Sequence, residues 1–204
     1  IRQIAMLIVM VLGGTTFAQE VNANLQLRPR YEYRNGFKGL MPDTELPTSF
    51  VSQRSRLNLN FKQEQISAKL TLQNVRTWGD VKTTTTNDKN GIILVEAWGQ
   101  YQFDENWSTR VGRQVISYDN QRIFGEIDWL QQGQSHDAAV VSYKKGKHQL
   151  DFGASLNADS EDLFRNLYTT NYKNMQYAWY HTDFSNFQMS LLALNTGFQY
   201  EQPA

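Results

Sequence analysis

The sequence predicts an all-β chain whose strands form an antiparallel transmembrane β-barrel, and three observations carry that prediction. Apolar and polar residues alternate with a period of two over stretches longer than a soluble strand needs. The links between these stretches are alternately short and long, and aromatic residues gather near the stretch ends.

Residues 1–18 read as a signal peptide and stand apart from the fold. Arg2 supplies the positive charge, Ile4 to Leu12 is an unbroken apolar run too short to cross a bilayer, and Thr16-Phe17-Ala18 places small residues at a cleavage site before Gln19. The chain opens at Ile1 without an initiator Met, so residues before it are expected.

The first strand, Val21 to Arg34, puts Val21, Ala23, Leu25, Leu27, Pro29, Tyr31 and Tyr33 on one face and Asn22, Asn24, Gln26, Arg28, Arg30, Glu32 and Arg34 on the other. Pro29 is a blemish, because it cannot donate to a ladder. The second, Val51 to Lys62, sets Val51, Leu57, Leu59 and Phe61 on a face shared with Gln53 and Ser55, opposite Ser52, Arg54, Arg56, Asn58, Asn60 and Lys62. In the third, Ile66, Ala68, Leu70 and Leu72 alternate with Ser67, Lys69, Thr71 and Gln73 until the pattern breaks near Asn74. Further strands are expected at Leu94 to Phe103, Trp107 to Tyr118, Asp137 to Tyr143, His148 to Asn157, Asn174 to His181 and Phe187 to Asn195, the sixth strand of the series having no clear parity.

Short links at Gln63-Glu64, Asp104 to Asn106, Lys144 to Lys147 and Asp183 to Asn186 alternate with long ones at Asn35 to Phe50, Thr77 to Ile93, Asp119 to His136 and Ala158 to Lys173. Short periplasmic turns and long extracellular loops give this rhythm in outer-membrane barrels, and a soluble sandwich has no reason to keep it. Tyr31, Tyr33, Phe61, Tyr101, Phe103, Trp107, Tyr118, Tyr143, Trp179 and Phe187 fall near strand ends, where headgroup-level girdles form. Nine strands are an odd number for a single-chain bacterial barrel, so residues 19–204 are expected to be the N-terminal portion of a monomeric barrel of about 16 to 18 strands, not closed by these nine.

Composition excludes several classes. Without cysteine there is no disulfide framework and no thiolate metal site. The mean hydropathy of −0.56 resembles that of a soluble protein, but a membrane strand needs apolar residues only at alternate positions. The 20 basic and 20 acidic residues balance, so net charge indicates no partner. His136, His148 and His181 lack metal-ligand spacing, and no nucleophile–base pair stands out. The acidic cluster of Asp159, Glu161 and Asp162 is read as a solvated loop rather than a calcium site, because its spacing lacks the ordered oxygen pattern of a calcium loop. No phosphate-binding glycine loop and no exposed basic stripe are present, so an enzyme, a cofactor and a nucleic-acid partner are not expected.

Charge placement is more informative than charge total. With the apolar face outward, the lumen receives Arg28, Arg30, Arg34, Arg54, Arg56, Lys62, Lys69 and Arg110 against Glu32, Glu96 and Asp151. Such a wall concentrates anions; the alternative is that these arginines pair with loop acids and hold the wall together.

Gly112-Arg113-Gln114, Tyr118, Arg122, Gly125, Asp128-Trp129, Gly133 and Asp137 resemble a stretch of the alginate export family of outer-membrane barrels, and Arg54-Ser-Arg56-Leu, Trp78-Gly79-Asp80 and Glu96-Ala97-Trp98 fit that family's N-terminal half. The resemblance covers roughly residues 26 to 143. It implies an outer-membrane channel in contact with lipid, with an arginine-rich conduit for an anionic polysaccharide or other anionic solute and periplasmic export partners. The matching charged positions are Arg54, Arg56, Glu96, Arg113, Arg122 and Asp137; Arg28, Arg30, Lys69 and Arg110 join them as candidate solute-binding residues from the lumen pattern. Strict parity from Val111 turns Arg113 outward, so a lumen position requires a bulge near Gly112. The rival readings are a barrel enzyme with a site at its rim and a structural or adhesin-like barrel.

Overall fold

The computed structural model describes residues 20–36, 39–84, 87–161, 163–164 and 166–200. The expected signal segment and Asp162 lie outside them. The chain folds into one antiparallel sheet of nine strands in sequence order: β1 (Glu20–Arg34), β2 (Thr48–Gln63), β3 (Ile66–Thr77), β4 (Ile93–Gln102), β5 (Trp107–Gln114), β6 (His136–Lys145), β7 (His148–Leu156), β8 (Asn174–Asp183) and β9 (Gln188–Gly197). Every neighbour in the sheet is a neighbour in sequence, the meander that local hairpins produce. The long and short connections keep their alternation, so all long loops leave one end of the sheet and all tight turns the other.

Register decides the faces. Leu25 pairs with Leu57 and Leu57 with Leu72, whereas Arg28 pairs with Arg54 and Arg56 with Gln73. One face is therefore apolar and the other polar, as the alternation requires. The apolar face is the exposed one: Leu25 is 73 % exposed and Leu27 63 %, while Arg54 opposite is fully buried. A sheet that buries arginine and exposes leucine is inside out relative to a soluble fold.

Three details differ from expectation. β3 keeps its pairing with β2 through Thr77, so the break at Asn74 is one of chemistry and not of parity: Asn74 and Arg76 take outward positions beside Ser55 and Gln53. β5 ends at Gln114, and Val115 to Tyr118 leave the sheet in the loop that follows. Tyr118 and Trp179 stack on the polar face, 4.3 Å between centroids, and belong to no girdle. Outward aromatics at the turn end do pair, Trp107 on Tyr143 at 4.8 Å and Tyr101 on Phe103 at 5.2 Å.

In β6, Asp137, Ala139 and Val141 face outward and His136, Ala138, Val140 and Ser142 inward. Its parity is illegible because both faces are apolar. The inner one lies against a cluster in which Ala138, Val140, Met175, Tyr177 and Trp179 of the sheet meet Ile116, Phe124 and Tyr172 of the loops.

Candidate functional site

The β5–β6 loop, residues 115–135, does not project from the sheet but lies across its polar face as a strap. Its first part is fixed to β7, β8 and β9. Tyr118 donates to Asp151 Oδ2 at 2.9 Å and shares a hydrogen bond with Tyr177 at 3.0 Å. Burial raises the Tyr118 phenol well above its ordinary pKa, so it remains a proton donor to Asp151. Asp119 accepts from Trp179 Nε1 at 2.9 Å and from the Ser190 hydroxyl at 2.6 Å, and Ser190 in turn bonds His181.

The far part of the strap reaches β1 to β3. Asp128 is the anchor: Arg54 Nη2 lies 2.8 Å from its Oδ1, Arg28 Nη1 3.2 Å from Oδ2 and Arg56 Nη1 3.6 Å from Oδ1. The strap backbone is held as well. Arg28 donates to the carbonyls of Asp128 at 2.6 Å and Leu130 at 2.7 Å, Arg30 to that of Trp129 at 2.8 Å, and Arg56 and Gln73 to that of Gln132. Gln131, almost wholly buried, accepts from Arg28 and donates to Ser52. Unpaired loop carbonyls over a low-dielectric wall are costly, and guanidinium groups are well suited to satisfy several at once.

Local geometry brings Asp128 to this position. The preceding Ile127 has φ +50°, a conformation that a β-branched residue rarely adopts and that costs roughly 1–2 kcal/mol. At Gly133, φ is +74° and an added Cβ would stand 2.6 Å from Arg56 Nη2. A side chain there would be strained by the positive φ and would displace the Arg56 guanidinium.

The remaining predicted residues divide between the faces. Lys69 faces inward with Nζ 2.5 Å from Glu96, which also accepts from Thr71 and Trp98 Nε1. Arg110 also faces inward, stacked 4.1 Å over Trp98 and donating to Gln100. Arg122 is exposed on the strap. Arg113 and Asp137 correct the expected lumen position: register runs without a shift through Gly112, so both point outward, where they pair with each other at 2.7 Å. Gly112 is irregular for a different reason. At φ +124° it lets β4 and β5 approach, and a Cβ would meet the Ala97 carbonyl at 2.2 Å. Nothing local in the sequence marks Asp128, Gln131 and Asp119 as site residues, because no short-range pattern shows that a loop folds back over strands 100 residues away. The only available signal was the presence of Asp128 in the motif run.

Among the described residues no cluster of carboxylates and imidazoles has the geometry to hold a metal. What the arrangement offers is fixed charge: three guanidinium groups around one carboxylate, with Arg30 and Arg34 sharing Glu32 beside them. A family model for alginate export matches residues 19–157, more than half of the chain and all of β1 to β7. The chain belongs to the alginate export family. β8 and β9 lie beyond the match yet continue the same sheet without interruption. The family is one of outer-membrane β-barrels, in keeping with a sheet that exposes its apolar face. None of the curated proteins searched matches the chain.

Proposed function

We propose that this protein forms an outer-membrane conduit for anionic solutes, an anionic polysaccharide among them, and that the β5–β6 strap narrows the lumen at a cluster of positive charge. The observation that carries this reading is the imbalance at the strap, where Arg28, Arg54 and Arg56 converge on the single carboxylate of Asp128. Their excess charge lies on the face opposite the exposed leucines, where a barrel has its lumen. β1 and β9 each keep a free edge among the described residues, and such edges have to be paired in lipid, so the sheet works as part of a closed barrel. Arginine here has two roles. Arg54 is fully buried and holds the strap, whereas Arg28, Arg30 and Lys69 keep 28 %, 39 % and 28 % of their side chains open to a passing anion. The conduit acts by electrostatic attraction and size and performs no covalent chemistry. It works as a monomer, with export partners at its periplasmic turns.

Ion selectivity tests this. In the full-length channel in planar bilayers, Arg54→Ala with Arg56→Ala removes two positive charges and should shift the reversal potential toward cations under a salt gradient. The shift should shrink at high salt, where the screening length falls to about 3 Å at 1 M. A variant that inserts yet keeps the parent's selectivity would show that Arg54 and Arg56 only brace the strap; Arg30→Ala with Lys69→Ala then tests the open cations, and unchanged selectivity there as well would overturn the anion conduit.

A further inference from the structure

Along β1 and β2 the lumen wall changes character. Towards the loop end it is arginine, with Arg28 paired to Arg54; towards the turn end it is asparagine, with Asn24 paired to Asn58 and Asn22 to Asn60. Asparagine is depleted in strands, so two successive inward rungs of it run against local preference and call for a reason. Asn22, Asn60 and the neighbouring Lys62 are exposed, and among the described residues their side chains bond to nothing. These amides are free for a ligand.

A second observation comes from β4. Trp98 faces inward on the rung that runs through Asn22, Asn60 and Lys69, and its indole is held twice: Nε1 donates to Glu96 at 3.2 Å, and the Arg110 guanidinium lies 4.1 Å over the ring. Lys69, which stands between Asn60 and Trp98, is drawn to Glu96 and does not line the space beside them. That space is a cavity of about 240 Å³ lined by Trp98, Asn22, Asn60, Lys62 and Ser67. It lies near the turn end of the lumen, where a solute leaving the periplasm enters.

A fixed aromatic ring beside unpaired amides and a hydroxyl suits a saccharide. The C–H face of a sugar packs on an indole, and its hydroxyls both donate and accept, as carboxamides do. A small anion would use Lys62 and gain nothing from the indole, and an apolar solute would leave the amides unpaired. We infer that this cavity binds a sugar ring of the transported solute, stacked on Trp98 with its hydroxyls on Asn22, Asn60 and Ser67. Six residues separate Asn22 from Arg28, about 20 Å along the strand at roughly 3.4 Å each. A chain of several sugars therefore reaches the ring site and the arginine cluster together, whereas a single anion meets only one of them. The inference rests on the conduit reading and adds saccharide to charge as what the lumen selects.

The full-length channel in planar bilayers tests this, with oligogalacturonate and oligoglutamate of equal charge as blocking probes. The parent should be blocked about tenfold more tightly by the sugar acid, the scale of one aromatic contact with the hydrogen bonds beside it. Trp98→Leu should bring the two probes to equal affinity, and Trp98→Phe, which keeps a ring, should restore most of the difference. Asn22→Leu with Asn60→Leu should lower the preference several-fold; this pair carries the test if Trp98→Leu fails to give the heat-resistant folded band. Gln176→Leu with Asn195→Leu, an outward polar pair on β8 and β9, should leave the preference intact. Equal response of the parent to the two probes, or a preference that survives both site variants, would overturn the inference while the conduit reading stood. A parent that neither probe blocks and that shows no anion selectivity would overturn the conduit reading itself.

Discussion

Asp128→Asn should release the strap. The change keeps the shape of the side chain and removes only its charge, so packing stays the same and the electrostatics change. Three guanidinium groups lie within 3.6 Å of that carboxylate. One ion pair near 4 Å is worth about 4 kcal/mol at an effective dielectric constant of 20, and leaving a buried partner uncompensated costs about 3–5 kcal/mol. Asp128 is itself 45 % exposed, which screens it, whereas Arg54 is not exposed at all. The backbone carbonyls of the strap keep their arginine donors. A net loss of about 2–3 kcal/mol is therefore reasonable, which is a rise of about 30- to 150-fold in the population with the strap detached. Hydrogen exchange reads that population. The amides of Leu130 and Gln134, which bond to Ile127 and Glu126 within the strap, should exchange faster by that factor, while amides in β1 to β3 should not change. Conductance should rise and selectivity move toward anions, opposite in sign to the double arginine variant. Unchanged exchange and unchanged conductance together would refute the view that Asp128 anchors the strap.

Three further outcomes follow from the geometry. Gly112→Ala places a Cβ within 2.2 Å of the Ala97 carbonyl at a φ of +124°, so it should destabilise the sheet by roughly 3 kcal/mol or more, seen as a lower urea midpoint and a weaker heat-resistant band. Arg113→Ala removes an outward pair in which both side chains are more than one-third exposed, so it should cost at most about 1 kcal/mol and leave the reversal potential where it was; a shift toward cations would return Arg113 to the lumen. Single cysteines at Thr44, Lys89 and Glu161, in three of the long loops, should react with an impermeant maleimide on intact cells, whereas a cysteine at Lys147 in a tight turn should not; the reverse pattern would invert the topology.

The conversation between sequence and fold was uneven along the chain, for physical reasons. A strand has a period of two, so a sheet with one apolar and one polar face writes itself into residues a few positions apart: the faces of β1 and β2, the strand order and the alternation of turns and loops were all legible. β6 was not, because the apolar residues of its inner face are covered by the strap and by β8, and alternation vanishes when both faces are apolar. Asn74 seemed to break the pattern and proved instead to be an outward polar neighbour of Ser55. For Arg113 parity was the better guide, and family likeness alone suggested the lumen. The site needed the tertiary structure. That a row of arginines faces one side follows from spacing; that Arg54 is sealed under Asp128 while Arg30 remains partly open follows from a loop crossing the sheet to strands about 100 residues away. Local pattern sets which way a side chain points, but the destination of a loop is set by long-range contacts, and those decide which charges are already paired and which are left for a ligand.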